Sequence, residues 1–405
     1  MKQSSKWLIL PPYTFVDHIN ASKLFLYNTK TSSEQVITDD ETISLIKELQ
    51  MPSNLGSIMF YDGYNYNDNL KQLILQELLQ IVDIKEKPFV LLPILNLQRD
   101  LEKGDLDSRL NLMGSKTKFI SGIFILRDLP FISKSENVNN IRINAIKQSM
   151  LYGLKEDCAS TMALEKIEAI FKSLSITSVS IVDIISNISL WTDVEASWFS
   201  RMSSKYGYKI RVHSFIDNTL GDRILKIISE NKNIEFALYF DRYSDFEYQS
   251  YVAYISEIST ATSIFKYIYS DSDLVNSDKI DLIPIYTANN IQMFRDNVFL
   301  TKQDILRNGM SMKRIMRNQK LNANCFGILD ILSNGEVYPH GGCIPVGNIS
   351  EKNYLLKSVT NEFSNNQSWR VTRNRTICAS CQYRFICPPV SLFELQIHDF
   401  KICLL

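Results

Sequence analysis

The chain has 405 residues, 45% of them hydrophobic and 22% charged, which is enough for two or three domains with cores of their own. Its 44 Lys and Arg balance 44 Asp and Glu with no long block of one sign, a pattern that argues against a nucleic-acid partner. The opening MKQSSKWLILPPYTFVD is interrupted at Pro11 and Pro12, so its apolar run is too short for a signal segment or a membrane span, and a cytoplasmic protein without a membrane partner is expected.

From Tyr13 to Thr38 the sequence predicts three short strands, broken at Asn20 and over Lys30 to Ser33. A helix should begin at Asp40, where acidic residues occupy the first turn and Ile43, Ile46 and Leu49 share a face. After Met51 and Pro52 comes the apolar run SIMFY. The segment NDNLKQLILQELLQI follows, and its Leu70, Leu73, Ile74, Glu77 and Leu78 repeat with helical spacing. Three strands followed by helices within residues 1–85 is the order of a winged-helix module. In that order it resembles the RiPP recognition element, which binds leader peptides in ribosomal peptide maturation; the other reading is that these residues cover one end of a larger domain. The resemblance implies that a leader would add as a strand along Gln35, Val36 and Ile37.

A connector is expected over 86–118. Between Phe119 and Asn308 six strand-like runs (FISGIFIL, VSIVDII, KIRVHSF, IEFALYF, SIFKYIY and KIDLIPIY) alternate with amphipathic segments such as ALEKIEAIFKSL and VEASWFSRMSSKYG. That rhythm predicts a parallel β/α architecture, either a doubly wound sheet or a partial barrel. Beyond about Leu321 the rhythm gives way to turns and cysteines.

Four of the seven cysteines, Cys378, Cys381, Cys387 and Cys403, form a C-x2-C-x5-C-x15-C array. In a reducing compartment such clustering points to a metal rather than to disulfides, and an odd total fits no complete disulfide set. Four thiolates suit either an iron-sulfur cubane or a closed zinc site. The x5 spacing is unusual for a zinc ribbon. Just upstream, Trp369, Arg370 and Arg373 offer either a docking surface for this region or cations that offset the charge of a thiolate centre. Cys158 has no nucleophile signature around it, and His213, inside an apolar run, reads as a satisfied core histidine.

The tail resembles a SPASM domain, the C-terminal module of radical SAM peptide maturases. Cys325 is followed after nine residues by Gly335, GILDILSNGEVYP matches the hairpin before the family's second cysteine, and the triplet and final cysteine are present. His340 and Ser391 stand where that family has two further cysteines. The resemblance implies one intact [4Fe-4S] site at Cys378, Cys381, Cys387 and Cys403, with zinc as the alternative, and a dismantled second site whose remnants would be Cys325, His340 and Cys343.

Radical SAM enzymes hold their catalytic cluster with C-x3-C-x2-C after the first barrel strand. After ISGIFIL this chain offers only Cys158 before the next strand, and VSIVDIISN lacks the glycine-rich turn that receives the cofactor. With the KWLILPPYTF opening and the SWRVTRNRTICASCQYRFICPP block, the chain resembles the pseudo-radical-SAM proteins of peptide maturation systems. That likeness implies a degenerate partial β/α barrel over 119–318, a winged-helix-like module over 1–85 and a SPASM-like domain over 319–405. It further implies no S-adenosylmethionine, no catalytic residues, and two partners: a precursor peptide and a genuine radical SAM maturase. An electron relay through the surviving cluster is the alternative.

Overall fold

The computed structural model describes residues 6–60, 67–92, 116–129, 136–154, 160–216, 222–240, 262–274, 280–398 and 401–405. Cys158 and most of the expected connector lie outside them.

The predicted meander forms: β2 (Thr14–Asn20), β3 (Lys23–Asn28) and β4 (Glu34–Ile37) pair antiparallel in that order. Helix α1 (Asp40–Gln50) then starts on an Asp39 cap that accepts from the Thr42 amide at 2.8 Å, and buries Ile43, Ile46 and Leu49 as its spacing requires. A strand that the sequence reading passed over, β1 (Lys6–Ile9), lies between β5 (Ser57–Phe60) and β6 (Gln80–Asp83) and pairs antiparallel with both. Four residues cannot cross a membrane, but they suffice for a strand. Helix α2 (Asp68–Leu75) is shorter than its repeat predicts. Glu77 adopts a left-handed φ of 56°, the Leu78 amide donates back to the Leu73 carbonyl at 2.9 Å, and the chain turns into β6. Leu78 remains buried in the same core as Leu70 and Leu73, so the apolar repeat outlasts the helix.

Both faces of the meander are covered. Leu24, Leu26 and Ile37 join Leu8, Ile46 and Leu73 in one core, whereas Phe15, Phe25 and Tyr27 face the other way. These aromatic residues pack against α8 (Lys302–Arg307), α9 (Met312–Asn318) and the segment Tyr383 to Cys387.

All six predicted central strands form, as β7 (Gly122–Leu126), β8 (Ile181–Ile185), β9 (Lys209–Phe215), β10 (Ile234–Phe240), β11 (Thr262–Ile268) and β12 (Asp281–Pro284). Each pairs parallel with the next in chain order, without the reversal that defines a doubly wound sheet. Helices α4 (Leu164–Ser173), α5 (Asp193–Tyr206) and α6 (Asp222–Glu230) share one core with Ile123, Val182, Ile210 and Phe236, and so lie on one face. The amphipathic stretch IQMFRDNVFLTKQDIL divides into α7 (Ile291–Asn297) and α8, because Thr301 and Asp304 build a capping box between them.

The hairpin expected before residue 340 appears as β13 (Ile328–Ile331) and β14 (Glu336–Pro339), with β15 (Gly347–Asn348) beyond. Strand β13 pairs parallel with β7, so the region after 319 extends the same sheet to nine strands among the described residues. Gly327 makes this junction possible: its φ is 79°, and a Cβ there would lie 2.4 Å from the Phe119 carbonyl oxygen.

Helix α3 (Glu136–Ser149) crosses the opposite face at the C-terminal ends of the parallel strands. Its Ala145 and Ile146, with Met150, Leu151 and Leu154 beyond, pack on Leu126, Ile185, Phe215 and Ile285. Among the described residues no helix is long and apolar enough to cross a membrane.

Candidate functional site

The cysteine array grows out of a docked tail. Helix α10 (Tyr354–Asn365) carries the buried Glu362, whose carboxylate accepts from the Ser368 and Trp369 amides at 3.0 Å each. Trp369 is buried against Phe326 and Phe363, and its indole N–H donates to the Ile328 carbonyl at 3.1 Å. Docking is therefore the role of Trp369, and Arg370 shares it by stacking over Phe363. A short 3-10 turn at Arg373–Arg375 leads to the first ligand candidate.

Arg373 does something else. Buried, it holds Glu394 with both terminal guanidinium nitrogens and donates from Nε to the Pro388 carbonyl at 2.9 Å. Burial disfavours its charge, but Glu394 first, and then the Cys387 and Cys378 thiols, outweigh that and raise its pKa. It is a cation set beside the cysteines.

The cysteines are positioned by their own backbone. The Cys381 amide donates to the Cys378 carbonyl at 2.9 Å and the Cys387 amide to the Tyr383 carbonyl at 2.8 Å. Cys403 returns from the chain's end through a bridge to Leu300, held by Leu300 N to Ile402 O and Leu404 N to Leu300 O at 3.0 Å each. Burial raises the pKa of Cys381, and the charges of Cys378 and Cys403 raise it further. Burial pushes Cys387 up to about 12, against the pull of Arg373 and with added pressure from Glu394, Cys378 and Cys403. Cys378 and Cys403 thus each act on both Cys381 and Cys387, and no disulfide joins the described cysteines. As placed, no three His, Cys, Asp or Glu among the described residues are grouped tightly enough to hold a metal ion. The donor chemistry, four soft sulfurs beside a buried guanidinium, fits a thiolate-bound centre.

Ser391, at the position of an expected family cysteine, caps α11 (Leu392–Ile397): its hydroxyl accepts from the Glu394 amide at 3.3 Å and donates to the Glu394 carboxylate at 3.0 Å. The Cys325, His340 and Cys343 trio is dispersed in its contacts. Cys325 is buried, with Asn322 Nδ2 at 3.4 Å from its sulfur and its pKa raised by burial first and by Asp330 and Glu362 next. His340 pairs through Nδ1 with Asp330 at 2.9 Å and stacks on Phe124, while Cys343 is exposed.

On the face that α3 covers, His213 is a satisfied core histidine: its ring nitrogens meet Asp183 and the Tyr239 hydroxyl, each at 2.8 Å. At the end of β7, Arg127 pairs with Glu195, and Asp128 accepts from the Ser186 hydroxyl at 2.8 Å and the Asn187 amide at 2.7 Å. These links from the end of β7 to the end of β8 and to the first turn of α5 were not legible beforehand, because no spacing rule joins residues so far apart. Gln35, Val36 and Ile37 lie on β4, an edge strand whose partner within its sheet is β3.

Compared with known proteins, the chain matches no protein-family model and no curated protein.

Proposed function

We propose that this protein is a non-catalytic partner in ribosomal peptide maturation, binding a precursor peptide, a genuine radical SAM maturase, or both, and carrying one [4Fe-4S] centre on Cys378, Cys381, Cys387 and Cys403. The observation that carries the reading is the edge position of β4 in a three-stranded meander followed by α1, which gives an extended peptide a row of backbone partners. Main-chain hydrogen bonds would hold the leader there, and pockets on either side of β4 would read alternate side chains.

The strand order of β7 to β12, with helices on one face, supports a degenerate partial barrel. Where a radical enzyme would hold its reactive cluster, this chain has the Arg127–Glu195 pair, the Asp128 ties to Ser186 and Asn187, and α3 packed across the strand ends. These groups position one another, which supports a binding role over a catalytic one. When bound, a cluster would supply a rigid cross-link for the tail and a redox centre; Arg373 would offset its negative charge. An electron relay is the second reading, favoured by the half-exposed Cys378, Cys381 and Cys403 beside the exposed Ile377.

The test is hydrogen exchange of the full chain with and without a labelled precursor leader. Saturable binding with slowed exchange at Gln35, Val36 and Ile37 is expected. Binding that protects other residues and leaves β4 unchanged would move the site elsewhere, and no saturable binding to any leader tested would remove the peptide reading.

A further inference from the structure

We infer that the metal-bound state of the cysteines sets the order of the peptide-accepting sheet, through the loop from Cys381 to Cys387. This inference rests on the reading of those cysteines as ligands. The two ends of the loop are ligand candidates, and its three central residues each grip a different part of the meander. Arg384 donates from Nη2 to Asp17 of β2 at 2.8 Å. Phe385 meets Phe15 of β2 edge-on at 6.1 Å between centroids, and Tyr383 meets Phe25 of β3 edge-on at 5.6 Å. The Tyr383 hydroxyl also reaches Glu34, the first residue of β4, at 3.5 Å, where Lys302 pairs with the same carboxylate oxygen at 2.6 Å. Cys387 is itself a member of this core, and Cys381 packs on it.

The Asp17–Arg384 pair makes the contact costly to lose. Both side chains are buried, the bond runs from Arg384 Nη2 to Asp17 Oδ1, and Asp17 Oδ2 and Arg384 Nε have no hydrogen-bond partner among the described residues. Displacing the loop would strand a buried carboxylate. A five-residue loop fixed at both ends by metal–sulfur bonds has few conformations in which all three grips close, whereas one freed at its ends has many. Ligation therefore favours the ordered sheet, and by linkage an ordered sheet favours ligation to the same degree. The N-terminal sheet and the metal region, far apart in sequence, act as one unit.

The test uses the full chain loaded with iron and sulfide, or with zinc, and then stripped by a chelator, with metal content measured alongside exchange. Metal removal should speed exchange over Thr14 to Ile37 by about tenfold while β8 to β10 stay unchanged. Arg384→Gln, with the cysteines intact, should speed the same amides and weaken metal retention against the chelator by a similar factor. Asp17→Asn, a smaller change, should do both to a lesser degree if Arg384→Gln fails to fold. Verified metal loss with unchanged exchange over β2 to β4 would overturn the inference and leave the ligand reading standing. A chain that takes up neither iron nor zinc would overturn both.

Discussion

Trp369 is the side chain through which the tail engages the sheet, and its substitution can be worked out in parts. Trp369→Ala removes an almost wholly buried indole wedged between Phe326 and Phe363, a change that costs about 3–5 kcal/mol in comparable cores. Trp369→Phe keeps most of the apolar volume and deletes the indole donor. The Ile328 carbonyl would still accept the His340 amide at 3.0 Å, so the hydrogen-bond loss falls near the lower end of the usual range, about 0.5–1.5 kcal/mol, plus a small cavity. The two variants should therefore differ by roughly 2–3 kcal/mol. Urea unfolding followed by far-ultraviolet circular dichroism reads this as a shift in midpoint at constant slope. A Trp369→Ala protein within about 1 kcal/mol of the parent would refute the docked arrangement, since truncating a buried indole to alanine costs about 3–5 kcal/mol.

Other consequences are more local. Glu394→Gln leaves the buried Arg373 without its carboxylate and should destabilise the chain by about 3–5 kcal/mol; a loss under 1 kcal/mol would place the pair nearer solvent than its burial indicates. Asp39→Ala should cost about 1 kcal/mol at neutral pH by uncapping α1. Burial opposes ionisation of Asp39, but hydrogen bonds from Thr42 and Asn69 prevail and lower its pKa; its contribution is thus full above the ordinary carboxylate value and fades as pH falls through the lowered one. The variant and parent stability curves should accordingly converge in acid, and a gap that widens there would contradict the sign. In the native protein iodoacetamide should label Cys343 and spare Cys325, which mass spectrometry of the digest reports; rapid labelling of Cys325 would contradict its burial and raised pKa. Cys381→Ser should release bound metal and loosen the tail, and a fully folded variant with unchanged metal content would remove Cys381 from the ligand set.

The central strands were legible because parallel strands buried on both faces read as continuous apolar runs, and each of the six stands where its run predicts. The acidic first turn from Asp40 and the face of Ile43, Ile46 and Leu49 likewise announced α1. Three things escaped the sequence. Strand β1 is too short to alternate visibly, and it is defined by β5 and β6, tens of residues away. The overlong helix read over NDNLKQLILQELLQI arose because Leu78 is buried for its place beside β6 rather than for its place on a helix, and periodicity cannot distinguish the two. The union of the meander with the cysteine region depends on Asp17 meeting Arg384 and Phe25 meeting Tyr383, pairs separated by more than 350 residues. For the candidate site, the spacing of Cys378, Cys381 and Cys387 pointed to one locus, whereas as placed no three His, Cys, Asp or Glu among the described residues are grouped tightly enough to hold a metal ion. The split between Trp369 and Arg370, which dock, and Arg373, which faces the thiols, needed coordinates.

The most direct test of the account is metal and sulfide analysis of the full chain purified without oxygen, together with an assay for S-adenosylmethionine cleavage under reducing conditions. The account predicts iron and inorganic sulfide in equal amounts, as in a [4Fe-4S] centre, lost together in Cys381→Ser, with no cleavage of the cofactor. Zinc without sulfide would end the electron-relay reading and leave a zinc-stabilised binding protein. A folded chain without metal, its four thiols all freely titratable, or steady cofactor cleavage would contradict the central claim.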